Sequence, residues 1–444
     1  MTTQTVPRGA GTGKRAAPAG RGESAPGTTE RARGGTPAAS GTQRMALLDA
    51  LRLVAALMVV LFHYTAWHHG YWSADGGPSA PEVWPALSRV TAFGNAGVQL
   101  FFIISGLVVF RSLQGRSVGR FLGSRAGRIF PAFWFAVLFS GAVQMVLWRA
   151  QKPELTWGQV LGNLTLAGPP LLHIPSVDGV YWTLWIEARF YVGLLLVRWA
   201  LRRLRADDAR GWTGFCLAWV AASAVAIAVV GVPSQNSRLG LYLIPTYAGL
   251  FAGGMMLYLM SAHGFTWARG AVLVGAVAQA AWATALDMPQ EVGAFTPYRI
   301  PGGVFALLIV GFFALVAALV FTRANRVGWA WATGAGALTY PVYLLHEVNG
   351  WFIIDALSPE WPKWLVLGVA LGAVLVLSWA VHRYVEEPLG PWLKAWVERG
   401  CAALGRGVGA FGGFARRGRV ERRRVGRRRV GRVPVAGPGR APGA

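Results

Sequence analysis

The stretch LLDALRLVAALMVVLFHY, residues 47–64, is almost entirely hydrocarbon, yet it carries Asp49, Arg52 and His63. A run of this length and character is enough to cross a bilayer as a helix. An ionisable side chain in such a helix costs roughly 3 kcal/mol unless it is paired or wet, so it is read first as functional. His63 follows Arg52 by eleven residues. At 100° per residue the helix returns to within about 20° of its starting direction, so both side chains share one face, roughly 16 Å apart along the axis. Asp49 lies one turn before Arg52 on that side. Taken singly, Arg52 reads equally well as snorkelling to headgroups and His63 as capping a neighbouring helix. Neither reading explains the shared face.

The rest of the chain has the same character. Of 444 residues, 54% are hydrophobic and only 14% charged, too little charge to cover a soluble protein of this size. Ten apolar segments, near 46–67, 95–112, 129–148, 181–198, 212–232, 239–260, 269–287, 300–322, 329–354 and 363–384, predict an all-α polytopic membrane protein. With the N-terminus inside, the cytoplasmic loops around 111–128, 198–210, 261–269 and 323–326 hold five, five, one and two Lys/Arg. The opposite loops together hold six: Arg89, Arg149, Lys152, Arg238, Arg299 and Lys363. That asymmetry is the positive-inside pattern and places both termini in the cytoplasm.

Most of the net charge of +24 lies in the ends. Residues 1–44 carry seven basic side chains against two acids, and 402–444 carry twelve arginines against one acid. Both ends, 1–44 and 401–444, are expected to be disordered basic cytoplasmic tails flanking a membrane domain over 45–400. The repeat RRRVGRRRVGRV can grip anionic lipid or simply pin topology; no specific nucleic-acid partner is expected. No apolar signal-peptide core is seen in the first tail. Cys216 and Cys401 match no disulfide or metal pattern, and no metal is expected.

Further polar groups fall into two layers. Arg125 and Arg128, in GSRAGRIFPAFW, form an i, i+3 pair at the inner surface that suits a phosphate or serves topology. Towards the outer side lie Glu187, in YWTLWIEARFYV, and Tyr340, Tyr343, His346 and Glu347, in LTYPVYLLHEVNG. His346 is also readable as a hydrogen-bonded core histidine. In GNAGVQLFFIISGLVVF, Gly94, Gly97, Ser105 and Gly106 allow close helix packing or backbone approach to a ligand. The long outer loops at 68–94 and 149–180 are rich in Trp, Pro and His, as a cover over a mouth or an aromatic belt would be.

In this order the pieces resemble the acyltransferase 3 family, the integral-membrane O-acyltransferases, over about residues 46–390. The resemblance rests on LDALRLVAALMVVLFH, GVQLFFIISGLVVF, the RxxR pair with IFPAFW, TLWIEARFYV, LTYPVYLLH and VEEPL. Where the family usually reads LDGLRG, Ala50 and Leu53 replace the glycines, a change in packing more than in chemistry. The resemblance implies transfer of an acyl group, commonly acetyl, from a cytoplasmic coenzyme A thioester to a hydroxyl of a sugar or similar acceptor. It implies a catalytic role for His63 and donor binding by Arg52, Arg125 and Arg128. It also implies a bacterial cytoplasmic-membrane location. No appended SGNH esterase domain is expected, so a second step would need a separate extracytoplasmic partner.

These residues suggest a mechanism in which an inner cationic layer holds the coenzyme A phosphates. His63 then deprotonates the acceptor hydroxyl, or relays the acyl group covalently. Glu187 is expected to orient the imidazole or bind acceptor hydroxyls, and Asp49 to hold Arg52. Ser105, Tyr343 and His346 are expected in support. The alternative function is a transporter of a glycan or small polar solute, since intramembrane Arg, His and Glu also line carriers.

Overall fold

The computed structural model describes residues 46–404 and 406, except 74–76, 150–154, 323–329 and 359, and leaves the side chains of 46 and 330–333 undescribed. The expected tails over 1–44 and from 407 on, with Lys152, Arg323 and Arg326, lie outside the described residues. Among the described residues ten long helices follow one another: α1 (Ala46–Leu61), α2 (Gly97–Leu113), α3 (Val118–Ala142), α4 (Trp182–Arg203), α5 (Ala209–Val230), α6 (Ala248–His263), α7 (Trp267–Phe295), α8 (Gly302–Phe321), α9 (Ala330–Leu357) and α10 (Lys363–Val381). Among the described residues nine helices are long and apolar enough to cross a membrane, and there is no strand. The protein is an all-α polytopic membrane protein. The long helix outside those nine is α9, whose 28 residues include Tyr340, His346, Glu347, Asn349 and Asp355.

Helices α2 and α6 form the centre. Of the apolar stretch in each, 83% is buried, against 28% for α5 and 33% for α8, which therefore lie at the rim. Lipid tails are as apolar as leucine, so helices in a bilayer associate through close packing rather than through the hydrophobic effect. A Cβ on Gly106 would collide with the Phe251 carbonyl, and one on Gly254 with the Ile103 carbonyl, so the α2 and α6 backbones touch. Helix α1 packs on α2 and α9, and α9 packs in turn on α10.

Three elements depart from the apolar pattern, each for a local reason. Helix α3 starts at Val118, eleven residues before its apolar run, with Ser117 Oγ accepting the Arg120 amide at 3.3 Å. Its first turns are amphipathic. Gly119, Gly123 and Gly127 face Cys401, Glu398, Lys394 and Gly390 of a helical extension that carries α10 on to residue 404. Arg125 and Arg128 are therefore well inside a helix rather than at its start. Helix α7 runs eight residues past its expected end, which adds Gln290 and Glu291 to it. The segment expected over 239–260 breaks between Arg238–Leu243 and α6, with Ile244 in the left-handed region at φ 50°. The break survives because its freed carbonyls are taken. Trp219 Nε1 donates to Leu243 O at 2.7 Å and Gln279 Nε2 to Pro245 O at 2.9 Å.

Candidate active site

Helix α1 ends in a wide turn. The Trp67 amide donates to Phe62 O at 2.9 Å, five residues back, which makes Phe62–Ala66 a π-helical turn. Such turns leave carbonyls without an amide partner in the helix and recur at functional sites. Here the orphans are His63 O and Tyr64 O. Trp351 Nε1 and His69 Nε2 both donate to His63 O at 3.0 Å, and Trp72 Nε1 donates to Tyr64 O at 2.6 Å. Each bond is worth about 1 kcal/mol net, and a bare buried carbonyl would cost about 1–3 kcal/mol. The aromatic residues of the loop after α1 thus fasten the histidine's backbone.

The His63 side chain is 6% exposed and its Nδ1 lies 2.8 Å from His346 Nε2. The partners assign the protons. His346 Nδ1 faces Tyr343 O at 2.9 Å, and a carbonyl only accepts, so this nitrogen carries hydrogen. Neutral His346 then has its lone pair on Nε2 and must accept from His63 Nδ1–H. His63 Nε2 is left unprotonated, and none of the described residues donates to it. Tyr64 Oη fixes His346 from the other side by donating to its carbonyl at 2.8 Å.

His63 lines a cavity of about 830 Å³. The walls come from α1, α4, α7, α9 and the loops that precede α4 and α6. Aromatic rings of Trp67, Trp182, Trp185, Tyr247 and Phe295 meet the polar groups Asn95, Asp287, Glu291 and Glu347. Tyr343 lines it too, its hydroxyl accepting from Thr183 Oγ1 at 3.0 Å and donating to Val180 O at 3.3 Å.

A second polar layer lies further along the same helices. Arg52 is in electrostatic reach of Arg128, Glu187, Asp49 and Tyr191. Arg128 Nη2 donates to Gly336 O at 3.3 Å, and Arg125 stands over the Tyr191 ring at 5.9 Å. Arg52 Nε and Arg125 Nε are buried without a hydrogen-bond partner, and none of the three guanidiniums forms an ion pair among the described residues. Three cations without an ion-pair partner among the described residues, two of them with an unspent Nε, form a ready seat for a polyanion.

Compared with known proteins, residues 45–383 match the acyltransferase 3 family model, described as an acyltransferase domain. The chain belongs to the acyltransferase 3 family. A nodulation protein 10 from Rhizobium leguminosarum bv. viciae is 25% identical over 77% of this chain and 92% of its own length. The acyltransferase MdmB of Streptomyces mycarofaciens is 27% identical over 44% of this chain and 47% of its own. No solved structure matches.

In this acyltransferase His63, His346 and Tyr343 come together at the cavity, and Arg52, Arg125, Arg128, Asp49, Ser105 and Glu187 gather in the arginine layer. One expected role is corrected. Glu187 does not orient the His63 imidazole, whose partner is His346. Its Oε1 accepts from Ser105 Oγ at 2.8 Å, and it neighbours Arg52 and Tyr191. Gly94, just before α2, and Gly97 at its start serve helix packing, since Cβ atoms there would strike the carbonyls of Met58 and Ala55. The sequence reading passed over Thr183 and Tyr191, which with Glu187 form an i, i+4, i+8 stripe on α4. The stripe joins the two layers: Thr183 serves the cavity, and Glu187 and Tyr191 the arginines. Tyr340 and Tyr343 connect the same layers on α9, since Tyr340 Oη donates to Ile129 O at 3.1 Å beside Arg128. Also missed were Asp287, the last residue of its expected segment, and Gln290 and Glu291, hidden by the early end assigned to their helix.

Proposed function

We propose that this acyltransferase moves an acyl group, acetyl in the first instance, from a coenzyme A thioester to a hydroxyl of a carbohydrate or of a glycosylated or polyketide acceptor. Arg52, Arg125 and Arg128 bind the donor phosphates at the cytoplasmic face of a bacterial membrane, and the thioester end reaches towards the cavity. The acceptor hydroxyl gives its proton to His63 Nε2 as its oxygen attacks the thioester carbonyl. The C–S bond then breaks, the acyl group stays on the acceptor oxygen, and the thiolate takes the proton back. A separate extracytoplasmic protein would perform any later step on the product.

The observation that carries this reading is the proton assignment at His63. A neutral imidazole whose Nδ1–H is committed to His346 presents its basic nitrogen to the cavity. The guanidiniums without ion-pair partners support an anionic donor, and the relatives from Rhizobium and Streptomyces support a bacterial membrane.

The test uses purified full-length protein and labelled acetyl-CoA. His63→Ala should slow transfer by about 10²–10⁴-fold while coenzyme A still binds. Near-normal turnover by that variant would sink the mechanism. Arg128→Ala should raise the donor KM by about tenfold, the loss of one charge-assisted contact. An unchanged donor KM removes Arg128 from the donor site.

A further inference from the structure

The charge lining the cavity is one-sided. Asp287, Glu291 and Glu347 reach its wall, and among the described residues no lysine or arginine does. Asp287 and Glu291 stand at i, i+4 on α7, so one face of that helix presents both. Glu291 reaches Asn95, and neither carboxylate has an ion-pair partner among the described residues. Arg189 is close by but does not line the cavity, and it pairs with neither acid although its Nε and Nη2 are buried without a hydrogen-bond partner. Its Nη1 donates to the carbonyls of Gln235 and Gly240, and its guanidinium stacks on Trp185.

Acids in a membrane cavity are costly without a cation, and the same wall carries the aromatic rings of Trp67, Trp182, Tyr247 and Phe295, side chains of the kind that hold ammonium groups. An independent feature marks the same space as a ligand site. His63, more than nine-tenths buried, keeps an unpartnered nitrogen there. We propose that the hydroxyl acceptor carries a protonated amine, held by Asp287 and Glu291 against the aromatic wall while its hydroxyl meets His63 Nε2. Protonation makes the amine a poor nucleophile, so transfer goes to oxygen. The inference rests on the acyl-transfer reading of His63 for its geometry and names the class of acceptor that the cavity selects.

The experiment uses the full chain in lipid nanodiscs and three matched probes: phenyl β-D-glucosaminide, its N-acetyl counterpart and phenyl β-D-glucoside. Equilibrium binding is measured for each, and acyl transfer separately. The wild type should bind the amine about tenfold more tightly than either neutral probe. In Asp287→Asn and Glu291→Gln that ratio should fall towards one, with coenzyme A binding as the check on folding. Equal binding of the three probes, no binding of the glucosaminide, or a preference that survives in both variants would overturn the proposal. Preferential binding of the amine without acyl transfer would keep it and count instead against the role given to His63.

Discussion

At the scale of single residues, the histidine pair replaces the histidine–carboxylate pair that the sequence suggests. His346 orients His63 as a neutral dipole, taking a proton bond on one nitrogen because the other is tied to Tyr343 O. In the proposed mechanism it acts through His63 as a positioning residue. His346→Ala should lower kcat by about a hundredfold and leave the donor KM unchanged. His346→Gln should recover part of that loss, because its amide oxygen can accept from Nδ1–H. Equal losses in the two variants would leave His346 with packing alone. The spacing of Arg52 and His63 was legible because both lie on one helix. The exchange of partners between Glu187 and His346 was not, because those contacts span 82 and 283 residues of chain.

At the scale of elements, apolar runs located the helices and polar ends concealed their limits. The first turns of α3 and the last of α7 carry charge on one face, so a hydropathy reading stops short of both. The loop after α1 is a second case, since WHHGYW reads as a belt or a cover and proves to fasten the wide turn. His69 is 8% exposed there, and burial pulls its imidazole from the ordinary 6.5 down to about 3, partly offset by its bond to His63 O. Between those values an unfolded chain takes up a proton that the folded protein refuses. Stability is thus intact above pH 6.5 and falls by about 1.4 kcal/mol for each unit below it. His69→Gln keeps an N–H for His63 O and should show a smaller drop in Tm between pH 6.5 and 5. The same drop in variant and wild type would clear His69 of this effect.

At the scale of the whole molecule, two chemistries are proposed for two polar layers of one helix set. The layers share α1, α4 and α9, so the proposed donor and acceptor sites have walls in common. The sidedness that follows is measurable. In oriented vesicles coenzyme A should compete for donor only from the face bearing the arginine layer, and an impermeant acceptor should be acylated only from the other. Acylation of such an acceptor from the arginine face would dissolve the separation. Composition revealed the all-α membrane architecture early, whereas the acidic wall of the cavity emerged only when distant segments met.

The wide turn at Phe62–Ala66 has one more consequence. Holding one residue more than an α-turn, it sets the chain beyond it about 100° out of phase with the helix before it. Arg52 and His63 keep their common bearing because the offset accrues mainly after His63. The segment from Trp67 to Trp72 inherits a different bearing and comes back over the histidine instead of leaving along the axis. One polypeptide thus holds two angular frames, and the bonds from His69 and Trp72 to His63 O and Tyr64 O lock the second to the first.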